Sequence, residues 1–102
     1  MRILVVEDEP KIAGSLEKGL AAEGYVVDVA NDGDTAETLA EANAYDLILL
    51  DWMIPGAHDG PGLVQLWRDQ NMQAPILMLT AKTTIGDRVH GLLLADHPGG
   101  QD

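Results

Sequence analysis

Short runs of four or five mostly aliphatic residues recur along this chain, and between them the apolar residues return at every third or fourth position. The runs are Ile3 to Val6, Val26 to Ala30, Leu47 to Leu50 and Ile76 to Leu79, and only the second, with Asp28, is not apolar throughout. A strand covered on both faces reads this way. The intervening stripes give three helices one face each to lay on a sheet: Ile12 with Leu16 and Leu20, Ala36 with Leu39 and Ala40, and Leu63 with Leu66 and Trp67. A fourth helix is expected from near Thr84, with Ile85, Val89 and Leu92 inward.

That alternation predicts an α/β fold with an open parallel sheet. Right-handed crossovers leave two orders, a flavodoxin-like 2-1-3-4 and a half-Rossmann unit. Punctuation agrees with the pattern. Pro10 suits the first turn of helix one, Gly24 its C-terminal cap, and Asp34 with Glu37 resembles a capping pair for helix two. From Ala95 to Asp102 the residues Asp96, His97, Pro98, Gly99 and Gly100 suit neither a helix nor a buried strand, so an irregular tail is expected.

Composition narrows the picture. The 102 residues suffice for one domain with one core, which must be aliphatic because there is no Phe. Seventeen acidic against six basic residues give a formal charge of −11, which would repel nucleic acid phosphates and anionic membranes and favour cations and basic partners. The lack of cysteine excludes a disulfide framework and thiol chemistry and fits a reducing compartment. Ile3 to Val6 is too short for a signal peptide or a membrane span, and a cytoplasmic location is expected.

Ligands of an open α/β sheet bind beyond the C-terminal ends of its strands. Strand one is followed there by Glu7, Asp8 and Glu9, strand three ends at Asp51, and strand four at Thr80 and Ala81. Neighbouring strands one, three and four would gather Glu7, Asp8, Asp51 and Thr80 at one edge. Crowded carboxylates need a proton or a cation to relieve their repulsion. Mg²⁺, a hard cation held by one or two carboxylates with positions left for phosphate oxygens, is the natural candidate. Taken singly, the acids after strand one could merely complement a helix N-terminus, Asp51 could be a turn residue and Thr80 a cap.

The strings Leu4-Val5-Val6-Glu7-Asp8-Glu9-Pro10, Leu49-Leu50-Asp51-Trp52-Met53-Ile54-Pro55-Gly56 and Leu79-Thr80-Ala81-Lys82, then Asp87-Arg88-Val89 and Gly91-Leu92, together resemble a bacterial response-regulator receiver domain. Within that family they look most like receivers that precede a winged-helix DNA-binding domain. The resemblance covers 1–92 as a receiver-like domain and leaves 93–102 as a tail outside the family pattern. It implies that Asp51 accepts a phosphoryl group from a sensor histidine kinase. It further implies that Asp8, Asp51 and the Met53 carbonyl bind Mg²⁺ directly, that Glu7 acts through water, and that the Thr80 hydroxyl meets the phosphoryl oxygens. The chain would then be a signalling module rather than an enzyme, and would itself make no nucleic acid or membrane contact.

The pattern also departs from the family. A Lys at the end of a fifth strand and an aromatic switch residue on that strand are missing, and Lys82 matches a variable position. The loop at Ala57-His58-Asp59-Gly60 is about one residue longer than usual. A sheet lacking the fifth strand and final helix is therefore expected, with strand four as an edge that invites self-association, a homodimer included. One competing reading is a degenerate receiver acting as a phosphorylation-independent interaction module. Another is an Asp-nucleophile Mg²⁺-dependent phosphatase, although such enzymes carry a second Asp where Met53 stands. A cofactor binder of flavodoxin type would need a phosphate-cradling loop where Glu7, Asp8 and Glu9 repel phosphate. His58, His90 and His97 are too scattered for a metal site, Trp67 reads as core, Trp52 as either a neighbour of the site or packing, and the Met residues need no cofactor.

Overall fold

The computed structural model describes residues 1–79. In chain order these form β1 (Arg2–Val6), α1 (Pro10–Ala22), β2 (Val26–Ala30), α2 (Gly33–Ala42), β3 (Leu47–Asp51), α3 (Gly60–Asp69) and β4 (Ile76–Leu79). All three strand pairings are parallel, and the sheet order is β2-β1-β3-β4, the flavodoxin-like alternative. The expected fourth helix and the question of a fifth strand lie outside the described residues.

Pleating sorts the strand residues between two aliphatic cores. Leu4, Val6, Ile48, Leu50 and Ile76 face one way and pack with Ala36, Leu63 and Trp67, which brings α2 and α3 to that face. Ile3, Val5 and Leu49 face the other way, against Leu16 and Leu20 of α1. Each such Leu or Ile, fully withdrawn from water, stabilises the fold by roughly 1.5–3 kcal/mol. The central strands β1 and β3 are therefore the most buried, whereas β2 at the edge keeps Val26 exposed.

The acid in the middle of β2 is satisfied locally. Asp28 accepts from Tyr45 Oη at 2.7 Å and from Arg2 Nε at 3.0 Å, and the Arg2 guanidinium lies over the Tyr45 ring. The Tyr45 hydrogen bond leads in holding the Asp28 carboxyl below its usual range. Burial, then the Asp28 hydrogen bond, pushes the phenol up to about 12.

Helix boundaries follow local chemistry, with one correction. Pro10 opens α1, and Gly24 (φ +92°) closes it: Gly24 N–H donates to Ala21 O and Tyr25 N–H to Leu20 O, a Schellman pair. Asn71 (φ +61°) ends α3 the same way, with Asn71 N–H on Arg68 O and Met72 N–H on Trp67 O. The N-cap of α2 is Asp32, whose carboxylate accepts from Thr35 N–H, and not Asp34. Asn31, Asp32 and Asp34 could all cap by residue type. The burial of Gly33 against the loop after β3 settles where the helix begins.

Candidate metal centre

Strands β1 and β3 are neighbours with Val6 paired to Leu50, so the residues that follow them emerge together at the C-terminal edge of the sheet. Glu7, Asp8 and Asp51 each present a carboxylate oxygen there, and these oxygens lie within 4.8 Å of one another. Glu7 and Asp51 are buried, at 1% and 6% exposure, while Asp8 is exposed. Two buried carboxylates beside a third are costly unless positive charge or hydrogen-bond donors offset them.

The consecutive acids after β1 divide their tasks. Glu9 is the N-cap of α1, its side chain accepting from Lys11 N–H at 3.0 Å. Glu7 turns inward: its Oε2 accepts from Glu9 N–H at 3.0 Å, its amide donates to Ala30 O, and its carbonyl accepts from Asn31 Nδ2 at 3.1 Å. Helix capping thus accounts for Glu9 alone and leaves Glu7 and Asp8 to the cluster. The helix-terminus role that the sequence allowed for the acids after strand one thus falls to Glu9, while Asn31 escaped the sequence reading, because a polar residue after a strand carries no mark of what it will touch.

Asp51 closes β3 opposite Leu79 of β4, and Trp52 N–H continues the ladder to Leu79 O at 3.2 Å. Trp52 and Met53 follow as exposed side chains, 49% and 67% accessible, so Trp52 is not core. Ile54 turns back into the interior. Asp59 then caps α3, accepting from Gly62 N–H at 2.8 Å. Trp67 is core, as its stripe predicted. Thr80, Lys82, His90 and His97 lie outside the described residues.

The donor set suits a hard divalent cation: carboxylate oxygens only, close enough to share one ion, with one side of the cluster open to solvent at Asp8. Among the described residues no helix is long and apolar enough to cross a membrane.

Comparison with known proteins agrees with this geometry. The family model for the response regulator receiver domain matches residues 3–95. The transcriptional activator protein IrlR of Burkholderia pseudomallei is 49% identical over 94 residues, 92% of this chain and 40% of its own length. The transcriptional regulatory protein CusR of Escherichia coli is 47% identical over 94 residues, 92% of this chain and 41% of its own length. The chain thus spans about two fifths of the curated relatives it matches. Among solved structures, the Francisella response regulator 1452 receiver domain superposes with a TM-score of 0.76 at 34% identity, covering 92% of this chain and 77% of that one. The Thermotoga maritima response regulator TrrA, solved in complex with Mg²⁺-BeF, gives 0.74 at 36% identity, covering 94% and 82%. A receiver model matching nearly the whole chain, relatives that are transcriptional regulators, and a parallel sheet with its acids at one edge together place this chain in the response-regulator receiver-domain family.

Proposed function

We propose that this chain is the phosphoacceptor module of a two-component phosphorelay, with Asp51 accepting the phosphoryl group of a sensor histidine kinase. The observation that carries the reading is the meeting of Glu7, Asp8 and Asp51 at the C-terminal edge of the sheet. Bound among those carboxylates, Mg²⁺ would supply positive charge against their repulsion and against the incoming phosphoryl oxygens. Asp8, Asp51 and the Met53 carbonyl would hold the ion directly, with Glu7 acting through water. Asp51 stands at the end of a buried strand, so its carboxylate is held in place before the donor arrives, and such positioning is most of what in-line transfer needs. One carboxylate oxygen bonds to phosphorus as the phosphorus–nitrogen bond of the donor breaks, and the electron pair of that bond leaves with the imidazole. The Thr80 hydroxyl would donate to a phosphoryl oxygen. We take 1–92 as the receiver unit and 93–102 as a tail outside it.

A second reading, an interaction module that works without phosphorylation, is favoured by residues 93–102, which hold no Lys and do not follow the family pattern. Incubation with acetyl phosphate and Mg²⁺, followed by intact-mass analysis, separates the two. The expected outcome is one added phosphate on the parent, slowly acquired, and none on Asp51→Ala. Phosphate retained by Asp51→Ala would refute the site, and a parent that never gains phosphate would favour the interaction module.

A further inference from the structure

Helix α2 gives no side chain to the acidic cluster, yet its first turn holds the loop that leaves Asp51. That loop, residues 52–59, is tied at two places. At its far end Gly60 N–H donates to Trp52 O at 3.0 Å, and Gly60 lies so close that a Cβ there would stand 2.5 Å from Asp51 O. At its middle Pro55 O accepts from Gly33 N–H at 2.8 Å, while Ala57 N–H makes a longer contact of 3.4 Å to Asp34 Oδ1. Two glycines meet at this second tie. A Cβ on Gly33 would stand 2.8 Å from His58 O, and one on Gly56, whose φ is +127°, would stand 3.1 Å from Gly33 N. Backbone meets backbone here, with no room for a side chain on Gly33 and a φ on Gly56 that L side chains rarely adopt. Met53 lies between the two ties.

We infer that Gly33 is a positioning residue for the metal site: by docking Pro55 and Gly56 on the first turn of α2, it sets the course of the loop between Asp51 and Gly60 and hence the place of the Met53 carbonyl relative to the carboxylates. The inference rests on the metal site proposed above. Any side chain at position 33 must push His58 O and its neighbours away. Mg²⁺ demands near-ideal octahedral geometry, whereas Ca²⁺ accepts a variable and longer-range ligand set, so a displaced loop penalises Mg²⁺ the more.

The test is calorimetric titration of Mg²⁺ and of Ca²⁺ into the parent, Gly33→Ala and Asp8→Asn, with Ile48→Val as a core substitution remote from the loop. Gly33→Ala is expected to weaken Mg²⁺ binding about tenfold, the scale for groups that support metal ligands, and Ca²⁺ binding much less. Ile48→Val should leave the ratio of the two affinities unchanged. If Gly33→Ala does not fold, Asp34→Ala carries the test, because the charge it removes acts on both cations alike and only a loosened loop lowers the Mg²⁺ to Ca²⁺ ratio. A parent-like ratio in the folded variants, with Mg²⁺ bound by the parent and lost in Asp8→Asn, would overturn the inference alone. A parent that binds no Mg²⁺, or binds it equally well as Asp8→Asn, would overturn the site itself and the inference with it.

Discussion

Residues of one type take different roles here according to what the backbone places beside them. Glu9 caps a helix, Glu7 is drawn inside, and Asp8 stays in solvent, although the three are consecutive. Asp28 shows the same dependence away from the site, because its lowered pKa comes first from Tyr45 and then, against the opposing effect of burial, from Arg2. A depressed carboxyl pKa contributes stability that is present above the ordinary value of 3.8 and lost as pH falls through the lowered one. Tyr45→Phe should therefore raise the Asp28 pKa, which carboxyl-resolved NMR titration would measure. Denaturant unfolding should show a loss of about 1 kcal/mol at pH 7 that shrinks as Asp28 protonates in acid. An unmoved Asp28 pKa would mean that the hydrogen bond contributes nothing in solution.

At the scale of elements, three strands were legible from unbroken aliphatic runs and the helices from their stripes, because burial on two faces or one writes a period into the sequence. The edge strand was legible too, though Asp28 interrupts it, since its flanking valines still alternate with the pleat. Caps were read unevenly. Gly24 was identified by type alone, whereas Asp34 was mistaken for the cap that Asp32 provides. The Schellman turn at Asn71 went unread, and it offers a direct check. At φ +61° an L side chain other than Asn or Asp is disfavoured, so Asn71→Ala should cost about 1 kcal/mol and Asn71→Gly should cost little or nothing. Equal losses in urea unfolding would show that this turn relaxes when substituted.

For the molecule as a whole, the formal charge of −11 makes the acidic edge one part of a broadly negative field. Repulsion on that scale destabilises the compact state, and salt screens it over about 10 Å at moderate ionic strength. A bound cation acts differently, through mass action on the folded state alone. Mg²⁺ at 100 times its dissociation constant should add about 2.7 kcal/mol and raise Tm on the order of 10 °C. NaCl at matched ionic strength should do much less, and Asp8→Asn should respond to the two salts nearly alike. Calorimetric melts would decide it, and a parent that responds equally to MgCl₂ and NaCl would leave no specific ion at the cluster.

The sequence by itself determined the α/β class, the succession of elements and the edge at which chemistry would collect, because strand burial and helix amphipathicity are written in residue order and strand ends are adjacent to their runs. It narrowed the strand order to two and named Glu7, Asp8 and Asp51 as residues that neighbouring strands would join. Tertiary structure decided between the orders and brought those oxygens within 4.8 Å. It also chose Glu9 as the helix cap and seated Gly33 against the loop after Asp51. The cap is one of three consecutive acids that residue type does not distinguish, and the Gly33 contact joins backbone groups distant in the chain, which no periodicity of side chains records.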